Sequence, residues 1–218
     1  MKIFLDSSDV DEISNAYETG LIDGVTTNPT LIMKSGRSPR TVLSEIAEIF
    51  PWDSSVSAEV VADTADDMLD IADDYLSINQ NITIKVPCTV AGLKTCKELT
   101  KDDISVNVTL VFTQSQAILA AKAGAEFVSP FVGRVDDNSF GGLCLIKDIS
   151  NTFTKQNWKR TEILAASIRN VRDVGRAFEY GADICTIPPS VFNKMYNHIL
   201  TDKGLELFEN DWKSTQNV

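Results

Sequence analysis

Lys122-Ala123-Gly124-Ala125-Glu126 is a junction: a helix end, a glycine, a short turn and the start of a strand. Glu179-Tyr180-Gly181-Ala182-Asp183 has the same form further along the chain, and Gly20 likewise follows a helical pattern. All three glycines stand where a helix takes a left-handed cap. Outward from these junctions, short β-branched runs alternate with longer amphipathic stretches. The strand candidates are Lys2–Leu5, Gly24–Thr26, Ser55–Val60, Ile82–Val86, Ser105–Thr109, Glu126–Ser129, Glu162–Ala165 and Asp183–Thr186. Their starts recur at intervals of roughly 26 residues, the size of a β–α unit. Between them lie helix candidates at Asp9–Glu18, Pro39–Ile49, Thr64–Ser77, Ala91–Leu99, Gln114–Ala123, Leu143–Thr154, Val171–Tyr180 and Ser190–Asn197. Ser8 ahead of Asp11 and Glu12, and Thr64 ahead of Asp66 and Asp67, read as capping signatures with carboxylates at a positive helix end.

Eight strands, each followed by a helix, predict an α/β protein of the (β/α)8 TIM-barrel class, as one domain over residues 1–218. A doubly wound open sheet is the alternative, but no glycine fingerprint supports it. Thr201–Ser214 carries Leu205, Leu207, Phe208 and Trp212 among charges. It predicts an extra C-terminal helix over about residues 201–216, its apolar side docked on its own barrel or on a neighbour.

The 218 residues hold 20 Lys and Arg against 31 Asp and Glu, a net charge of −11. That balance argues against nucleic acid as a partner, since its phosphates need a basic surface. No apolar run approaches the roughly 20 residues of a membrane span, and the N-terminus turns polar at Asp6, too early for a signal segment. Cys88, Cys96, Cys144 and Cys185 show no CxxC spacing and read as reduced, mostly buried thiols of a cytoplasmic protein. The single histidine, His198, reads as a helix-surface residue, and one imidazole makes a multi-histidine zinc site impossible. Acid–base chemistry must therefore come from carboxylates, a lysine, hydroxyls or water.

In such a barrel the strand C-termini converge on one mouth, where active sites are built. They bring together Asp6, Thr26 with Asn28, Glu59, Lys85, Asn107 with Thr109, Ser129 with Phe131 and Arg134, and Ser167 with Arg169. Lys85 is the sharpest signal. Its β-branched neighbours in Ile82-Thr83-Ile84-Lys85-Val86-Pro87 imply a buried central strand. Burial disfavours the ammonium and leaves an amine able to attack a carbonyl; the plainer alternative is a lysine that snorkels to water. Asp6 and Glu59 are candidates to move the protons of imine chemistry, or else a helix cap and a salt-bridge partner. Asn28, Asn107 and Thr109 are placed to orient sugar hydroxyls or to satisfy loop backbone. Arg134 and Arg169 are placed to clamp a phosphate, the local positive focus that an anionic substrate needs on an acidic protein.

These segments resemble those of the transaldolase family. Gly24-Val25-Thr26-Thr27-Asn28-Pro29-Thr30-Leu31 is similar to its signature, and Ile84-Lys85-Val86-Pro87 to its Schiff-base strand. Asn107-Val108-Thr109-Leu110-Val111-Phe112, Val128-Ser129-Pro130-Phe131-Val132-Gly133-Arg134 and Ala165-Ala166-Ser167-Ile168-Arg169-Asn170 resemble three further family segments. The likeness runs from Met1 through the C-terminal helix. The length suits the small subfamily, which includes fructose-6-phosphate aldolase. That aldolase typically has Gln, Tyr and Lys where this chain has Glu59, Phe131 and Arg169, so all three positions favour transaldolase. Ile168 departs from the commoner Phe.

The resemblance implies transfer of a dihydroxyacetone unit from sedoheptulose 7-phosphate or fructose 6-phosphate to an aldose phosphate, in the non-oxidative pentose phosphate pathway. It implies an imine on Lys85, proton transfer at the C4 hydroxyl by Asp6, and a water held by Glu59 and Thr109. Asn28 and Asn107 would hold the donor, Thr26 and Ser129 would support it, Phe131 would line the pocket, and Arg134, Ser167 and Arg169 would bind phosphate. No metal or organic cofactor is implied. The expected partners are sugar phosphates and further copies of the chain, as a pentamer or decamer exchanging C-terminal helices. An aldolase releasing free dihydroxyacetone, a non-catalytic sugar-phosphate-binding barrel and a scaffold acting through the C-terminal helix are the competing readings.

Overall fold

The computed structural model describes residues 1–216. Its strands are β1 (Lys2–Asp6), β2 (Gly24–Thr26), β3 (Ser55–Glu59), β4 (Ile82–Pro87), β5 (Val106–Val111), β6 (Phe127–Pro130), β7 (Glu162–Ala165) and β8 (Ile184–Ile187). They form a closed parallel barrel in chain order, with β8 paired back onto β1. The helices are α1 (Val10–Tyr17), α2 (Pro29–Ser35), α3 (Pro39–Ile49), α4 (Ala65–Leu76), α5 (Val90–Leu99), α6 (Gln114–Ala123), α7 (Val132–Asp137), α8 (Gly142–Lys155), α9 (Val171–Glu179), α10 (Pro189–Lys194) and α11 (Ile199–Thr215). The expected (β/α)8 TIM barrel with an extra C-terminal helix is the fold found.

Alternation along each strand explains how one barrel holds both a core and a polar mouth. Phe4, Phe127, Leu164 and Ile184 pack together inside the barrel, Phe4 and Phe127 edge to face at 6.1 Å. Two residues further along, the same faces carry Asp6, Ser129, Ala166 and Thr186. Gly24 makes room at this level. A Cβ there would stand 2.6 Å from the Ser55 carbonyl and 2.8 Å from the Phe4 ring. The outward-facing residues, among them Leu5, Val25, Ile84, Val108 and Cys185, join the layer shared with the helices.

Helix starts follow side-chain oxygens that accept the free amides of the first turn. Thr64, Thr89, Thr113 and Asn170 cap α4, α5, α6 and α9 in this way. The α1 cap is Asp9 rather than Ser8, its carboxylate accepting from the Glu12 amide at 3.0 Å. Gly20, Gly124 and Gly181 all take positive φ, as the junctions predict.

Two helices went unforeseen, both within loops at the strand C-termini. α2 carries a legible signal, Asn28 as cap followed by Pro29 at the first position. α7 is six residues long and its cap, Phe131, makes no side-chain bond, so no signal announces it. The helix expected over Ser190–Asn197 stops at Lys194. His198 is therefore not on a helix face; it caps α11, its Nδ1 accepting from the Leu200 amide at 3.2 Å. Of the cysteines, Cys96 and Cys185 are buried, Cys88 is half-buried and Cys144 is exposed. No residue of α11 is buried, and Leu205, Leu207, Phe208 and Trp212 stand in the open. Among the described residues no helix is long and apolar enough to cross a membrane.

Candidate active site

The C-terminal mouth of the barrel opens into a cavity of about 470 Å³. Asp6, Thr26, Asn28, Glu59, Lys85, Asn107, Thr109, Ser129, Phe131, Arg134 and Ser167 all line it; Arg169 does not. Strand register is what gathers them: Glu59 pairs with Lys85, Lys85 with Asn107, and Asp6 with Thr26.

Lys85 is 5% exposed and does not snorkel. Its Nζ donates to the Thr27 carbonyl at 2.7 Å and stands 3.0 Å from Glu59 Oε2. A charge so placed is tolerable only with partners, and removing one would leave the other charge unpaired in a desolvated site. The surroundings are thus more polar than the β-branched neighbours imply.

Asp6 faces the cavity rather than capping a helix. Its Oδ1 accepts from the Thr26 hydroxyl at 2.8 Å. Because Thr26 spends its proton on Asp6, the 2.7 Å contact with Thr186 must have Thr186 donating to Thr26. Burial pushes the Asp6 carboxyl above its ordinary value, opposed chiefly by the nearby Lys85 and then by the Thr26 hydrogen bond. Asn28 Oδ1 accepts from the Leu31 amide at 3.0 Å, and its side chain is a lesser influence that favours the Asp6 carboxylate.

On the far side of Lys85, Asn107 is held by its neighbours. Its Oδ1 accepts from Ser129 Oγ at 2.6 Å, and its Nδ2 donates to Ser57 Oγ at 3.2 Å. Next along β5, the Thr109 hydroxyl is buried with no protein partner, although it belongs to the cavity lining. Such a group calls for a hydrogen bond from whatever fills the cavity. Leu110, with φ at 57°, marks the irregularity between Val108 and Val111 and joins the lining.

Phe131 packs edge to face on Phe112 at 5.7 Å and carries the Arg134 guanidinium 5.0 Å from its ring centroid. Ser167, at φ 58°, accepts from the Gly133 amide through its carbonyl at 3.0 Å. Arg169 is turned onto Asp137, each of its two terminal nitrogens donating at 2.5 Å to a different carboxylate oxygen. Arg134 therefore lines the mouth while the Arg169 guanidinium is committed to Asp137 outside it.

Thr186, Thr30, Leu31 and Leu110 also belong to the lining, beyond the residues that the strand-end pattern singles out. Thr186 could have been found by counting two residues on from inward-facing Ile184. Thr30 and Leu31 come with the unforeseen helix α2.

The fold and site together are a parallel (β/α)8 barrel whose mouth holds a buried lysine 3.0 Å from a carboxylate, with a second carboxylate in the same lining. Comparison with known proteins narrows this. Residues 3–218 match the family model described as Transaldolase/Fructose-6-phosphate aldolase. The chain is 53% identical over 215 residues to a protein named "Probable transaldolase" from Chelativorans sp., covering 99% of this chain and 98% of that one. Proteins of the same name from Caulobacter vibrioides and Cereibacter sphaeroides are each 51% identical over 215 residues, across 99% of this chain and 98% and 97% of theirs. The chain belongs to the transaldolase/fructose-6-phosphate aldolase family.

Proposed function

We propose that this protein is a transaldolase that moves a dihydroxyacetone unit between sugar phosphates through an imine on Lys85. The observation that carries the reading is the buried Lys85 amine, 3.0 Å from Glu59 and at the same mouth as Asp6. Glu59 stands where it can take the ammonium proton, freeing the amine to attack the C2 carbonyl of fructose 6-phosphate or sedoheptulose 7-phosphate. The resulting carbinolamine loses water to give a protonated imine. Asp6 accepts the C4 hydroxyl proton while the C3–C4 bond breaks, and the imine takes up the electron pair. The aldose phosphate leaves, and the three-carbon unit remains as an enamine. Attack of that enamine on a second aldose, erythrose 4-phosphate or glyceraldehyde 3-phosphate, reverses these steps. Hydrolysis then frees the new ketose, with a water held by Glu59 and the unpartnered Thr109 hydroxyl.

Asn28 and Asn107 are placed for the donor hydroxyls, supported by Thr26 and Ser129. Arg134 and Ser167 are placed for the phosphate, with Arg169 joining them. Glu59, Phe131 and Arg169 favour transfer over release of dihydroxyacetone, because the aldolase branch typically differs at all three. We further propose work in the non-oxidative pentose phosphate pathway of the cytoplasm, as a ring of copies in which each exposed α11 face is covered by a neighbour. The test is to give the protein fructose 6-phosphate with and without erythrose 4-phosphate. Sedoheptulose 7-phosphate formed only with the acceptor supports transaldolase. Free dihydroxyacetone released without an acceptor at a comparable rate makes it an aldolase instead.

A further inference from the structure

Arg134 lines the cavity and Arg169 does not, although Arg169 runs beside Gly133, the residue before Arg134. Arg169 gives its fork to Asp137, the last residue of α7. The Asp137 carboxylate thereby offers the guanidinium what a phosphate would offer: two anionic oxygens in fork geometry. Arg169 and Asp137 are 53% and 50% exposed, so their contact is a surface ion pair that water and salt weaken. Hydrogen bonds from Arg169 first, and the charge of Arg134 last, draw the Asp137 carboxyl below its ordinary range. Both arginines thus feel one carboxylate.

Gly133 shows how near Arg169 already is. A Cβ on Gly133 would stand 2.8 Å from Arg169 Nε, 3.1 Å from Ser167 Oγ and 2.4 Å from the Ser167 carbonyl. Arg169 Nε and the Ser167 hydroxyl thus crowd the same glycine, which puts the arginine beside a residue of the cavity lining while its terminal nitrogens are given to Asp137.

We propose that Asp137 is the gating counter-ion of the phosphate site: it holds the Arg169 fork in the unliganded barrel and yields it to the phosphate of an incoming sugar phosphate. The inference rests on reading Arg134, Ser167 and Arg169 as phosphate ligands. A phosphate brings more charge and a third oxygen, and Arg134 stands beside it, so it displaces the carboxylate. The observed affinity is then the intrinsic one reduced by the fraction of protein whose Arg169 is free. Asp137 acts through Arg169 and is a positioning residue that sets how strongly the phosphorylated end is bound.

The test compares the full-length protein with its Asp137→Asn and Asp136→Asn variants, titrated with inorganic phosphate by calorimetry. Asp136 has the same charge one residue away but accepts from the Gly142 amide and leaves the Arg169 fork occupied. The expected result is phosphate binding at least ~3-fold tighter in Asp137→Asn and little changed in Asp136→Asn. The KM for fructose 6-phosphate should fall in parallel. Unchanged or weaker phosphate binding in Asp137→Asn overturns the proposal, as does equal tightening in both variants, which would be an effect of net charge alone. No phosphate binding by any of the three, with Arg134→Ala equally silent, overturns the phosphate site itself and the inference with it.

Discussion

Lys85 Nζ stands 3.0 Å from Glu59 Oε2, a contact made by direct pairing of the two residues across β3 and β4. Nζ also donates to the carbonyl of Thr27, just past the end of β2, at 2.7 Å, so the lysine head is held from β3 and from the segment that follows β2. An amine held this way has its position decided before substrate arrives, which lowers the entropy lost on reaching an attacking geometry.

Glu59→Gln keeps the shape and removes the charge. The Lys85 ammonium then lacks both its counter-ion and its nearest proton acceptor. Turnover of fructose 6-phosphate with an aldose acceptor should fall about 100-fold or more, with KM affected much less. Steady-state kinetics check this, and an unchanged turnover would remove Glu59 from the proton path.

On the proposed mechanism, Asp6 should set the acid limb of the pH profile. As the base for the C4 hydroxyl it must be ionised, and burial raises its pKa above the ordinary 3.8. Activity should therefore fall, as pH drops, at values where an ordinary aspartate would still be charged. The Thr26 hydrogen bond favours the carboxylate, so Thr26→Val should move this limb to still higher pH. A limb that stays in place in Thr26→Val would contradict the role of Asp6.

Gly24→Ala tests the packing below the site. Its Cβ would meet the Ser55 carbonyl at 2.6 Å and the Phe4 ring at 2.8 Å, and a backbone oxygen cannot step aside cheaply. The substitution should destabilise the barrel by roughly 1–3 kcal/mol, read as a lower thermal midpoint.

The thiols should separate by burial. Burial pushes Cys96 and Cys185 up to about 12, so neither forms thiolate near neutrality. Cys144 is exposed and should react first with a disulfide reagent in the native protein. Cys96 and Cys185 should react only on unfolding. Mass mapping of the labelled peptides checks the order.

How far the sequence could be read differs from residue to residue for physical reasons. The barrel was legible because local signals recur along the chain: β-branched strands throughout, side-chain caps at most of the longer helices, and glycine junctions after three of them. The lining was legible because strand ends in such a barrel all face one mouth, so naming the ends named Asp6, Glu59, Lys85 and Asn107 together. Asp9 displaced Ser8 as the α1 cap because two adjacent residues could both accept, and backbone angles choose between them. The Arg169–Asp137 pair was not legible. It joins a β7–α9 loop to the end of a short helix with no cap signal, and local pattern says nothing about where a long exposed side chain turns. The Thr186-to-Thr26-to-Asp6 chain was hidden differently, since it crosses from β8 to β2 through the barrel interior.

The most direct test of imine chemistry is borohydride reduction of the protein in the presence of fructose 6-phosphate, read by peptide mass. The account predicts one ketose-derived adduct, on the peptide that carries Lys85, and none in Lys85→Met. An adduct on another lysine, or no adduct from folded protein with the ketose bound, would contradict it.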